Sequence, residues 1–553
     1  GYWGFGPDAF PLNARVWYPA GAGPFPLVLA VHGNHDMRDF SDPGYAYLGE
    51  LLASRGFILV SVDENFLNGR IRQENDARAW LLLKHLEAWR AFTSDVSNPL
   101  HGRADFDRIA LIGHSRGGEA VAHAAAFNRL PRYPDDATVS FDFGFGIRAI
   151  IAIAPVDGQY RPADRLAPVR DVSYLVFHGS HDGDVSSFAG LRQYQRVSFT
   201  DRPGGSADQL PFFKAAVYVY RANHGQWNTV WGPNDAGPRS ARILDLRGLL
   251  EPEEQRRFAE VYVSAFLEST LHDDPRYLPL FRDHRVAAGW LPKTMYITRF
   301  ESAGFRPFAT YQEDVDVTRG ALAGVTLDGP GLATWREGLL QLRSANTPAE
   351  GTSQYNNAVW LGWDRAAPDV PAAASPPEPA AAPAYTITLP DTLAGAWRVD
   401  DETWLQFLLA PTDERPGEPD GSDGSDEETE ERAADERDER DGRERVPLDL
   451  SIRAVDAAGE SASVELRGYG VPREPLEVRI LRRRDIEKRE FGELHELVLQ
   501  TYTIPLADFV ERNPALDLSR LRTLALVFDR SPAGVVILDD VGFVRLHPGF
   551  TSL

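Results

Sequence analysis

Through about residue 271 the chain alternates short apolar, β-branched runs with longer stretches whose apolar residues recur at helical spacing. Residues 12–18, 26–31 and 57–62 read as strands, and 45–55 as a helix. A long helix is expected over about 70–93, where Trp80, Leu83, Leu86 and Trp89 share one face; those tryptophans read as core. Apolar runs at 109–113, 150–156, 172–179 and 215–220 supply further strands. A closing helix is expected from Pro252, with Phe258, Val261, Ala265 and Phe266 as its buried stripe. Strand–helix alternation of this kind predicts an α/β domain over residues 1–285 built on a doubly wound, mostly parallel sheet.

After a linker at 286–293 the helical period disappears. Residues 294–301 open a series of short alternating strands that continues through 358–361, 385–389, 404–407, 448–452, 463–466 and 524–528 and closes at 534–543. Such a series over 294–553 predicts an all-β sandwich. Two excursions interrupt it: a Pro/Ala-rich loop at 366–383 and an acidic stretch at 413–446. Trp335, Trp360 and Trp363 lie on or near these strands and read as core rather than as stacking platforms.

Chemistry concentrates at strand ends. The run Arg108–Val121 passes from an apolar strand through Gly113-His114-Ser115-Arg116-Gly117 into an alanine-rich helix. A serine at such a turn presents Oγ at the carboxyl edge of a parallel sheet, and the flanking glycines permit the tight turn. Taken alone, the pentapeptide is also compatible with a serine that merely caps a helix. Two later strands end in matching groups: 172–179 runs into Ser180-His181-Asp182-Gly183-Asp184, and 215–220 into Asn223-His224-Gly225. Asp182 lies nearest its strand end; Asp184, and Asp157 after the preceding strand, are alternative acids.

The order Ser115, Asp182, His224 resembles that of the α/β-hydrolases. The segment His32-Gly33-Asn34, after the strand at 26–31, is similar to the His-Gly element of that family. The resemblance covers the first half of the chain and implies an oxyanion hole built from the main-chain amides of Asn34 and Arg116. It implies a serine hydrolase of carboxylic esters acting through an acyl-enzyme without a cofactor. A peptidase or amidase with the same triad, or a chiefly surface-binding protein, are the alternatives. His32, His35 and Asp36 lack further ligands at workable spacing, so no metal is expected. Only 13 residues, 159–171, separate Gly158 from the next strand. That leaves no room for a large lid and suits an open site for bulky or polymeric esters, with 131–146 able to cover one side. The β-rich half resembles the galactose-binding-like jelly rolls of carbohydrate-binding modules. That resemblance implies a polysaccharide or polymer surface as partner, and a structural calcium shared by Glu301 with Asp539 or Asp540. Solvated edge acids are the plainer reading of those three.

Composition adjusts this picture little. The net charge of −23 is concentrated: residues 413–446 hold 16 acidic and 6 basic side chains, a balance of −10, and read as a solvated loop. No basic stripe points to nucleic acid, and no apolar run is long enough to span a membrane. The absence of cysteine excludes disulfides and thiol chemistry. Arginine outnumbering lysine suits a heat-tolerant or GC-rich source. The chain begins at Gly1, so any targeting segment is expected to be removed or to lie outside this sequence; a secreted monomer is the expectation.

Overall fold

The structure is a computed structural model; it describes residues 3–6, 9–69, 71–200, 210–235, 242–343, 353–365, 381–418, 447–491 and 495–552. Most of the acidic stretch and of the Pro/Ala-rich loop therefore lies outside the described residues.

The first half is a three-layer α/β unit. Its strands are β1 (Ala14–Trp17), β2 (Phe25–Val31), β3 (Ile58–Val62), β4 (Ala104–His114), β5 (Ile147–Ile153), β6 (Ser173–Gly179), β7 (Phe213–Val219) and β8 (Tyr296–Ser302). They lie side by side in the order β1-β3-β2-β4-β5-β6-β7-β8. The six strands from β3 to β7 run parallel, while β1 and β8 cap the edges antiparallel. Helices α1 (Ala46–Ser54) and α5 (Pro252–Leu271) pack with one apolar cluster, and α2 (Asn75–Ser94), α3 (Arg116–Phe127) and α4 (Gly190–Arg196) with the other. The central strands are buried on both faces, which is why they read as continuous apolar runs rather than alternating ones.

Three expectations change in detail. Helix α2 starts at Asn75 rather than near 70, because Gly69 takes a left-handed φ of 91° and Asn68 is bonded to Arg78. Its Trp89 is core, whereas Trp80 is only half-buried and carries Tyr133 and Phe141. The segment 131–146 therefore lies over α2 and α3 through its aromatic rings. On α5, Tyr262 is fully buried with Phe258, Ala265 and Phe266, and Val261 is only partly so.

The boundary near residue 294 is corrected. Tyr296–Ser302 does not open the second half; it pairs with β7 from Tyr296↔Val219 to Ser302↔Phe213 and covers an otherwise bare sheet edge. Residues 286–293 are not a free linker either, since Ala287 and Leu291 sit in the first core.

Beyond β8 come two antiparallel sheets. One contains β11 (Thr334–Gln341), β12 (Ser353–Asp364), β19 (Ala533–Val544), β14 (Trp404–Pro411) and β17 (Gln500–Pro505) in that order, with β9 (Arg306–Ala309) added on β19. The other runs β10 (Thr326–Asp328), β13 (Ala384–Thr388), β18 (Leu521–Val527), β15 (Ser451–Asp456) and β16 (Ser461–Glu465). Both contribute to one apolar cluster, in which Trp363 is fully buried and stacked on Phe528 at 4.2 Å. Trp335 meets Tyr385 edge-on, and Trp360 packs outside that cluster with Arg336 above its ring.

Of the three acids read as solvated edge groups, Asp539 is buried, whereas Glu301 and Asp540 are partly exposed. Glu301 pairs with Lys214 at 3.1 Å, and Asp539 is wholly buried, accepting from Asn356 Nδ2 at 2.6 Å. Burial raises the pKa of both. Among the described residues no group of three or more histidines and carboxylates is placed to hold a metal ion, and no helix is long and apolar enough to cross a membrane.

Candidate active site

Strand β4 delivers Ser115 to the carboxyl edge of the sheet in a strained conformation, φ 57° and ψ −121°. Non-glycine residues adopt positive φ rarely, and such strain persists only where the surroundings enforce it. Here they do. The Ser115 amide donates to Ile153 O at 2.9 Å, and its carbonyl accepts from Gly118 N at 2.9 Å and Val156 N at 3.2 Å. The glycines are obligatory: a Cβ on Gly113 would stand 2.0 Å from Gly117 O, and one on Gly117 2.5 Å from Val31 O.

Asp182 and His224 meet at the ends of β6 and β7. His224 Nδ1 lies 2.8 Å from Asp182 Oδ2, with both side chains almost fully buried. Asp182 Oδ1 accepts from the amides of Asp184 (2.9 Å) and Val185 (2.6 Å), so the carboxylate is oriented by its own turn. With Nδ1 donating to Asp182, Nε2 of the neutral ring is the free acceptor, and it is buried without a hydrogen-bond partner among the described residues. The other acids occupy different places. Asp157 forms a two-pronged ion pair with Arg196 at 2.7 and 2.8 Å. Asp184 is half-exposed, 3.5 Å from Nε2 rather than Nδ1.

His114, next to Ser115, ties the serine turn to the histidine loop. Its Nε2 lies 3.0 Å from the His224 carbonyl, so it carries the proton there; Nδ1 is then the acceptor for Tyr45 OH at 3.0 Å. Burial, with His224 beside it, depresses its pKa and keeps the ring neutral. Trp231 lies across the imidazoles, 4.3 Å from the His114 ring and stacked on His224 at 5.9 Å and His35 at 5.4 Å.

The segment expected to supply the oxyanion site packs directly on the serine. A Cβ on Gly33 would fall 2.5 Å from Ser115 Cβ and 3.0 Å from Arg116 N. Asn34 is anchored by its side chain, whose Oδ1 accepts from Gly69 N at 2.8 Å. Arg116 is held by Nη1, which donates to Glu74 Oε1 at 2.6 Å and to Ile71 O at 3.0 Å. His32 has both nitrogens engaged, Nδ1 donating to Gly33 O (2.8 Å) and Nε2 accepting from Glu64 N (3.2 Å). Burial pushes its pKa down to about 3, so the ring is neutral.

Beneath this segment Arg78, wholly buried, stands between Glu64 (3.5 Å) and Glu74 (3.4 Å). Nothing in the sequence marked Arg78, Tyr45, Trp231 or Asp235; they are set by tertiary packing and by irregular segments without a motif.

Comparison with known proteins agrees with this geometry at the level of class. A family model described as Chlorophyllase matches residues 7–172. Cutinase est2 of Thermobifida alba is 28% identical over 126 residues, 22% of this chain and 37% of that protein. Cutinase est1 of the same organism is 33% identical over 95 residues, 15% of this chain and 28% of the relative. The cutinase of Thermobifida fusca strain YX is 28% identical over 126 residues, 22% and 34% respectively. The chain thus spans 28–42% of the length of the curated relatives it matches. The family model falls within the half of the chain that folds as the parallel-rich sheet.

Proposed function

We propose that Ser115, His224 and Asp182 act as a catalytic triad that hydrolyses carboxylic esters. The observation that carries this reading is the buried 2.8 Å contact between His224 Nδ1 and Asp182, which leaves Nε2 without a hydrogen bond beside the strained serine turn. His224 Nε2 takes the proton from Ser115 Oγ as oxygen attacks the ester carbonyl, and returns it to the departing alcohol; Asp182 holds the tautomer and stabilises the imidazolium. The amides of Asn34 and Arg116 receive the oxyanion, each donor contributing about 3–4 kcal/mol to the transition state. Water, deprotonated by the same histidine, then cleaves the acyl-enzyme and frees the acid.

The short connection after Gly158 carries only a 3₁₀ turn at Pro162–Asp164 and a two-residue strand at Val169–Arg170. It supports an open site for bulky or polymeric esters, and the two antiparallel sheets support a jelly-roll module that places the enzyme on a polymer or polysaccharide surface. The test is ester turnover by the full chain across aryl esters of increasing acyl length, matching amides and a solid polyester. Ser115→Ala should abolish turnover and labelling by a fluorophosphonate while the circular dichroism spectrum is retained. Asp182→Asn should lower kcat by about 10⁴-fold, whereas retained activity in either variant would refute the assignment. Preferential cleavage of the amides would replace esterase with amidase.

A further inference from the structure

Asp235 reaches the site from a segment that carries none of its reacting groups. Its Oδ2 accepts from the amide of Gly183 at 2.9 Å and from the amide of His224 at 3.0 Å. One oxygen therefore bridges the residue after Asp182 to His224 itself. Its Oδ1 accepts from Asn223 Nδ2 at 2.7 Å and from Gly225 N at 2.9 Å. Four N–H donors converge on one carboxylate, which is satisfied in full when ionised, although burial and the Asp182 charge raise its pKa from 3.8 to about 7. A Cβ on Gly225 would stand 2.2 Å from Gly232 O, so the segment leading to Asp235 packs on the histidine loop only because position 225 is glycine.

Other contacts join the two loops but leave the catalytic ends free. His181 N donates to Ala222 O at 2.8 Å, and Ser180 N to Val219 O at 3.0 Å. Both bonds lie on the strand side of Asp182 and His224. On the far side of the histidine loop, Gln255 of α5 bonds the Asn223 backbone through N (3.1 Å) and O (2.9 Å). Only Asp235 among these groups bonds the chain immediately after the acid and the amide of the base at once.

We propose that Asp235 is a positioning residue, a clamp that locks the loop bearing Asp182 to the loop bearing His224 and so fixes the angle of the imidazole toward Ser115. The inference rests on the Ser115–His224–Asp182 reading, and it adds a second, partly buried carboxylate to the machinery. Asp235 touches no reacting atom. Without it the two loops keep their strand-end contacts, while the imidazole gains freedom about an axis through Asp182. The charged and titratable groups facing His224 are then Asp182, Asp184 and the neutral His114, with Asp235 behind its backbone.

The test compares the full-length wild type with Asp235→Asn and Asp235→Ala. The asparagine keeps the shape but turns an NH₂ toward N–H donors, so at least one bond is lost at no cost in volume. Clamping predicts kcat lower by about 10–100-fold with KM within about twofold, since misplacement of a reacting group costs turnover rather than binding. It also predicts that the acid limb of kcat/KM moves to lower pH, because one anion beside the imidazolium is gone; a residue that only props the fold would leave the limb in place. A kcat within twofold of wild type and an unmoved limb would overturn the clamp. Hydrogen exchange on the wild type adds a measurement that needs no variant. The amides of Gly183, His224 and Gly225 should be protected together, and rapid exchange of any of the three overturns the proposal. A wild type that neither cleaves esters nor labels at Ser115 would instead overturn the triad on which the clamp rests.

Discussion

Asp184 Oδ2 stands 3.5 Å from His224 Nε2, across the ring from the 2.8 Å contact between Nδ1 and Asp182. The imidazole thus lies between a buried acid and a half-exposed one. Burial alone would lower its pKa, but the charge and hydrogen bond of Asp182, with Asp184 and Asp235 behind, outweigh burial and raise it from 6.5 to about 10. A general base must be neutral in the free enzyme, so activity should grow as pH rises and fail on the acid side. Asp184→Asn should therefore move the acid limb of kcat/KM to lower pH while leaving the Asp182 contact intact, as a pH–rate profile will show. The sign for folding is opposite: a raised histidine pKa stabilises the fold below about 6.5, and that contribution is lost as pH climbs toward 10. Denaturant melts across this range check the second half of the prediction.

Gly33→Ala should damage turnover more than binding. Its Cβ would enter within 2.5 Å of Ser115 Cβ and 2.7 Å of His114 O, so the loop carrying the Asn34 amide must withdraw. Loss of one oxyanion donor predicts about a 10²–10³-fold fall in kcat, measurable on a soluble aryl ester alongside KM.

Arg78 is wholly buried and faces Glu64 and Glu74, themselves 1% and 4% exposed. Removing one partner of a buried ionic group leaves the others uncompensated, so Arg78→Met should cost about 3–5 kcal/mol in a denaturant melt. Adding Glu64→Gln to that variant should recover part of the loss.

Phe550 lies in the last helical turn, Pro548–Thr551, and packs on Phe213 and Phe300 with ring centroids 5.5 and 4.9 Å apart. Its carbonyl accepts from Arg282 Nε at 3.0 Å. Phe550→Ala should lower stability by about 3–5 kcal/mol, the usual cost of emptying an aromatic site in a core. The loss should appear in the unfolding of the α/β unit, followed through the fluorescence of Trp227.

The alternation of buried runs and helical stripes was enough to read the parallel sheet, and Ser115, Asp182 and His224 were read from the strand ends that the same alternation marks. Those positions are legible because the turn after β4 demands glycines that nothing else would require. The edge strand β8 was not legible as part of that sheet. A short strand of mixed apolar and polar residues looks the same whether it pairs with β7 or opens a new sheet, and only the register between Tyr296 and Val219 decides. Asp235 and Trp231 were illegible for a different reason. Their partners are backbone amides and ring faces supplied by distant loops, and no local pattern announces them.

The contact of Phe550 with β7 and β8 has a consequence for how the chain is made. Phe550, far along the sequence, belongs in the core that supports the serine and histidine loops. Until residue 550 has been synthesised the α/β unit lacks one of its internal rings, which arrives only after the β-rich segment. Trimming the β-rich segment away would then leave an α/β unit with an unfilled hole rather than a smaller independent one.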